Sequence, residues 1–148
     1  MFLRSAALAL VALASLHAQT SEEPAAIATA QKVFDGMAAH DGGAIRSVML
    51  PDARFWWTRE DGSVSSSSAE DFITRISNMK GKAVERFTSD PKVLVHGRTA
   101  HVWGEYDVSV DGKFGHCGVD SFSLLKTAEG WKIASIVYTA ETTSCPGH

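Results

Sequence analysis

Residues 99–126, TAHVWGEYDVSVDGKFGHCGVDSFSLLK, decide the fold. Two long runs of alternating character meet at Asp111-Gly112. An Asp-Gly pair between such runs is the strongest short hairpin signal, because a type I′ turn needs positive φ at both central residues. The turn sets a register in which Val110 faces Lys113, Asp107 faces His116, Glu105 faces Gly118, Trp103 faces Asp120 and His101 faces Phe122. A third run, Trp131 to Thr142, follows a turn through Thr127 to Gly130, and its return places Asp120 near Val137 and Gly118 near Thr139. The product is an antiparallel meander.

Period-two alternation sorts this meander into two faces. One carries His101, Trp103, Glu105, Asp107, His116, Gly118, Asp120, Phe122, Ile133, Ser135, Val137 and Thr139; the other carries Val102, Tyr106, Val108, Cys117, Val119, Ile136 and Tyr138. Neither face is cleanly polar, so both are expected to be covered at least in part.

Upstream of the meander the pattern changes. Ile27, Ala30, Phe34, Met37 and Ala38 recur at three- and four-residue steps on one face of a helix that stops near His40 to Gly43. A second short helix is expected over Ala44 to Leu50, ending before Pro51, and then a strand over Arg54 to Thr58. Gly62 to Ser68 reads as a serine-rich loop, with Ser67 and Glu70 forming a capping box for a third helix that buries Phe72, Ile76 and Met79. Strands are expected again over Val84 to Ser89 and Lys92 to His96. Helices first and long strands afterwards mean an α+β domain rather than alternating βαβ units.

The chain opens with Arg4, an unbroken apolar run from Ala6 to Leu16, and a small residue at Ala18, the signature of a secretory leader and too short a run to span a bilayer. The expected organisation is a signal peptide over 1–18, a linker over 19–25, one domain over 26–143 and a tail over 144–148, with the mature protein secreted or periplasmic. The formal net charge of -3 and scattered basic residues leave no footprint for nucleic acid or for an anionic membrane surface. Cys117 and Cys145 are the two cysteines, and an oxidising compartment permits a disulfide between them; the alternative is a buried thiol at Cys117 and a loose tail at Cys145. The six histidines show no tight ligand spacing, so neither a metal nor another cofactor is expected.

The run His116-Cys117-Gly118-Val119-Asp120-Ser121-Phe122, the spacer Leu124 to Gly130, and then Trp131-Lys132-Ile133 resemble the closing hairpin of the nuclear transport factor 2-like superfamily, which includes SnoaL-like domains, ketosteroid isomerases, scytalone dehydratases and polyketide cyclases. Phe34 to Arg54, with its His-Asp-Gly, short second helix and Pro-Asp-Ala-Arg-Phe strand, is similar to that family's opening segment. The resemblance implies a cone: a curved antiparallel sheet, a half barrel, wrapped on about three N-terminal helices. It also implies that the face bearing Gly118, Asp120, Phe122, Ile133, Ser135, Val137 and Thr139 points inward, and that the outer face is where a homodimer would form.

On that reading Glu105 and Asp120 lie on adjacent strands inside the cone, where two carboxylates raise each other's pKa and become candidate acid–base groups. Trp57, Trp103, His116, Phe122 and Val137 are the expected pocket wall, suited to a small hydrophobic or aromatic molecule. Ketosteroid isomerases use an aspartate base on the first strand, and Ala53 to Thr58 offers no carboxylate there. Tyr106 and Tyr138 are expected to point outward, so the tyrosines of scytalone dehydratase-like chemistry are missing as well. Binding without turnover is therefore the first expectation. An isomerase, dehydratase or cyclase using Glu105 or Asp120 is the alternative.

Overall fold

The computed structural model describes residues 22–147. The leader expected over 1–18 lies outside them. Three helices, α1 (Glu23–Ala39), α2 (Gly42–Ser47) and α3 (Ala69–Ser77), pack on seven strands: β1 (Met49–Arg59), β2 (Val64–Ser68), β3 (Ala83–Phe87), β4 (Lys92–His96), β5 (Thr99–Val110), β6 (Lys113–Thr127) and β7 (Gly130–Ala140). The sheet order is β2-β1-β7-β6-β5-β3, with β4 also pairing β5; every pairing is antiparallel except β1 with β7. This is the expected cone-like α+β architecture. No described helix is long and apolar enough to cross a membrane.

The helix α1 starts earlier than the 19–25 linker allows. Pro24 sits in its first turn, where the missing N–H is no loss, and Glu22 ties that end to the sheet by accepting from Trp131 Nε1 at 2.9 Å and by pairing with Lys126. It ends where His40 adopts a left-handed conformation, φ 54°, and Asp41 then caps α2 by accepting from Ala44 N at 2.9 Å. Ala26, Ala30, Val33, Phe34 and Met37 are buried against the sheet, and Phe34 meets Phe87 and Phe122 edge-on at 5.0 and 5.9 Å between centroids. Burying side chains of this size contributes roughly 1.5–3 kcal/mol each, which is why a polar substitution at Phe34 would break the cone.

The serine run is a strand rather than the expected loop: Val64–Ser68 pairs with Thr58–Arg54, and Ser68, one residue later than expected, caps α3 by accepting from Asp71 N at 3.1 Å. Four consecutive short side chains that can hydrogen-bond along an edge tolerate the extended backbone that their turn-like composition argues against.

At the hairpin, Asp111 and Gly112 have φ 52° and 75°, and Val110 pairs with Lys113 as read from the sequence. Three residues further the register changes. Val108 pairs with His116 but Ser109 pairs with Phe114, so Gly115 is an extra residue in β6. Every later pair is displaced by one: Gly104, not Trp103, lies opposite Asp120, and Tyr106, not Glu105, lies opposite Gly118. Because the side-chain period is two, one inserted residue turns the whole of β5 over relative to β6.

A second irregularity between Ser123 and Leu124 does the same to β7, where Asp120 pairs with Tyr138 and Val137 falls opposite Ser121. Phe122, Leu124, Ile133 and Ile136 are buried as the inner face.

Candidate functional site

Under the concave face lies a cavity of about 180 Å³, walled by Val33, Phe34 and Met37 of α1, Phe72, Arg75, Ile76 and Met79 around α3, and the inward residues of β1, β3, β5, β6 and β7. Most of this wall is aromatic or aliphatic. Its polar members are Glu85, Tyr106, His116, Asp120, Tyr138 and Arg75.

Asp120 is deeply buried, with 2% of its surface exposed. It stands mid-strand in β6 between Gly104 and Tyr138, and Gly104 leaves room beside it that the Phe87 ring fills: a Cβ on Gly104 would meet that ring at 2.7 Å. Glu85 reaches the same corner from β3, on the Ala83-Glu85-Phe87 side of that strand, and the curl of the sheet brings the two carboxyls into hydrogen bonding. Asp120 Oδ2 is buried and meets no N–H or O–H donor among the described residues. Its hydrogen-bonding neighbour is itself a carboxyl, so the contact needs a proton between them.

Burial is the main cause that pushes the Asp120 carboxyl up to about 7, with the Glu85 hydrogen bond opposing. Burial first, and then the Asp120 charge, drive the Glu85 carboxyl well above the carboxylate range. The pair, Asp120 buried and Glu85 half-buried, is thus a site that holds a proton at neutral pH.

Two tyrosines frame it. Tyr106 is buried and its hydroxyl donates to the Thr139 carbonyl at 2.7 Å; burial raises its pKa, with the carboxyl charges adding to the effect. Tyr138 is pushed up to about 12, again chiefly by burial. Its ring stacks on Trp57 at 5.7 Å and 14°, over which Arg59 lies. The His116 imidazole stands edge-on to Tyr106 at 5.7 Å, and burial lowers its pKa, so it faces the cavity uncharged at neutral pH. Arg75 is exposed on α3 and lies over the Phe72 ring at 5.2 Å, at the rim.

The structure therefore sorts the expected residues. Asp120, His116 and Phe122 line the cavity, and Trp57 stands beside it against Tyr138. Glu105 does not: it is exposed on the opposite face, and the partner of Asp120 is Glu85. Trp103 and Val137, 38% and 50% exposed, also lie on the outer face, because the two register irregularities reverse their strands. Tyr106 and Tyr138, expected outside, are inside for the same reason.

Cys117 and Cys145 are disulfide-bonded across a sequence separation of 28, outside the cavity. Among the described residues no group of three or more His, Cys, Asp or Glu side chains converges as metal ligands would.

The missed residues had a signal. Val102-Gly104-Tyr106-Val108 is the more apolar of the two alternations of β5, and burial of that side follows from hydrophobicity alone. In β3, a glutamate between Ala83 and Phe87 is a carboxylate on an apolar side.

The comparisons agree with this architecture. The structure is similar to a nuclear transport factor 2-like protein of unknown function from Shewanella baltica, with TM-score 0.65 and 18% identity over 84% of this chain and 97% of that one. A nuclear transport factor 2-like protein with a cystatin-like fold from Novosphingobium aromaticivorans aligns with TM-score 0.66 and 14% identity over 97% and 94% of the two chains. A protein from Streptomyces avermitilis, described as a "putative dehydratase" of the same fold family, aligns with TM-score 0.65 and 18% identity over 82% and 96%. These likenesses establish the fold. No curated protein matches the sequence. A family model described as "Putative lumazine-binding" matches residues 21–139, which is most of the chain, and the chain belongs to that nuclear transport factor 2-like family.

Proposed function

We propose that this protein is an exported small-molecule-binding domain whose cavity holds a compact ring-bearing molecule, with the polar end of that molecule turned toward Glu85 and Asp120. The observation that carries the proposal is Asp120 itself: a buried carboxyl with an unanswered oxygen beside an apolar cavity. An unpaired buried acceptor costs about 1–3 kcal/mol, and a ligand hydrogen bond offsets that cost. At about 180 Å³ the cavity falls below the roughly 300–1,000 Å³ of drug-sized sites, which favours one or two rings over a sterol. The description of the family fits a flat ring with polar edges.

The test is mass spectrometry of small molecules carried by natively purified protein, beside an Ala83→Leu variant that fills the cavity. A ring-bearing molecule is expected on the wild type and not on the variant. Equal loading of both would place the ligand elsewhere.

A second reading, acid–base turnover, is favoured by the proton-holding pair, with Asp120 as the group that gives or takes the proton and Glu85 in the place the sequence assigned to Glu105. Asp120→Asn is then expected to lower turnover at least 100-fold while ligand still binds. Undiminished turnover would remove the carboxyl from the reaction.

The exposed Trp56, Trp103 and Val137 on the outer face support a homodimer through that surface. Sedimentation of Trp103→Glu should then give a smaller species than the wild type, and equal masses would count against it. N-terminal sequencing of secreted material tests export: a chain beginning near residue 19 is expected, and an intact Met1 would contradict it.

A further inference from the structure

The cavity beneath the concave face is unbalanced in charge. Its wall contributes two acids, Glu85 from β3 and Asp120 from β6. The titratable and charged groups facing them are Tyr106 from β5, His116 from β6, Tyr138 from β7 and Arg75 from α3; α1 and β1 bring only apolar side chains. The tyrosines are kept neutral by burial, His116 is held uncharged, and Arg75 sits exposed at the rim. No buried cation answers the carboxyls among the described residues. A proton does so, and an unanswered Asp120 oxygen remains.

Building on the reading of this cavity as a ligand site, we propose that it takes a small organic cation, a ring carrying one protonated amine, whose ammonium lies between Glu85 and Asp120 in place of the proton they share. The ammonium brings the donors that Asp120 Oδ2 lacks, and its positive charge replaces that of the displaced proton, which leaves to solvent. The rings of Phe34, Phe55, Phe72, Phe122, Tyr106 and Tyr138 line much of the rest of the wall, and aromatic faces next to paired carboxylates are the surroundings that stabilise an organic ammonium. A neutral carbonyl ligand would need the shared proton to stay, and an anion would be repelled. The cation therefore differs from the neutral and anionic classes in the sign of its pH dependence.

Calorimetric titration of the full protein with benzylamine, benzyl alcohol and benzoate at pH 6, 7 and 8, each in two buffers of different ionisation heat, separates them. Benzylamine is expected to bind at least tenfold more tightly than benzyl alcohol, to strengthen as pH rises by up to about tenfold per unit, and to release a proton into the buffer. Benzoate is expected not to bind. Asp120→Asn should reduce the preference for amine over alcohol to near unity; the wild-type pH slope supplies the same information if that variant does not fold. Equal affinity for amine and alcohol, or amine affinity that falls as pH rises, overturns the proposal but leaves the cavity reading standing if Ala83→Leu abolishes alcohol binding. Binding of none of the three overturns the proposal and the single-ring cavity reading together.

Discussion

Asp120 shows how much one position depends on its neighbours. Alternation puts it on one face of β6 with Phe122 and Leu124, and the family resemblance is what marks that face as inward. Its partner is not legible in the sequence, because which strand brings the second acid depends on curvature and register rather than on local pattern. The pair also has a thermodynamic signature. A carboxyl raised from an ordinary value of 3.8 to about 7 binds its proton more tightly in the folded state than in the unfolded state, so folding loses stability as pH rises between those values. Asp120→Asn removes that ionisation. Its stability relative to wild type, read from urea melts, should improve between about pH 4 and pH 7 and flatten above, by at most about 4 kcal/mol at 1.4 kcal/mol per unit. A constant difference across that range would mean that Asp120 ionises like an exposed aspartate. His116, whose pKa is lowered, acts in the opposite direction in the wild type, which is why the difference between the two proteins is the quantity to follow.

Among the elements, the strands from Lys92 onward are readable because they are long, alternate, and turn at Asp111-Gly112; the limits of β4 and β5 match the sequence reading. Their faces are not, and Gly115 is the reason. A single extra glycine has no periodic signature, and it sends Glu105 and Trp103 out and Tyr106 in.

The C-terminal segment is partly readable as well. Residues 141–143, expected within the domain, are held by two backbone hydrogen bonds between Glu141 and Cys117 and by Glu60, which accepts from the Thr142 and Thr143 amides at 2.8 and 2.9 Å; of the expected tail over 144–148, Cys145 is tied down by the disulfide. A cross-link over 28 residues constrains the unfolded chain by about 3–4 kcal/mol. Replacing both Cys117 and Cys145 by alanine should therefore lower the melting temperature by about 10 °C or more in calorimetry. An unchanged melting temperature would show that the Glu60 contacts hold the segment unaided.

In the molecule as a whole, the helix-then-strand order implies an α+β cone, and the resemblance carried by residues 116–133 supplies its wrapping. The chemistry of its interior comes from three-dimensional convergence. β3 and β6 are separated by β5 in the sheet, yet Glu85 and Asp120 meet because the sheet curls over α1. The acid–base and cation-binding roles proposed for the cavity depend on that meeting, and carboxyl-carbon NMR titration of the intact protein, with Glu85→Gln and Asp120→Asn for assignment, detects it. Two carboxyl resonances are expected to keep their protonated shifts to about pH 6 and above, and removal of either residue should move the other. Titration of both near pH 4, each indifferent to loss of the other, would contradict it.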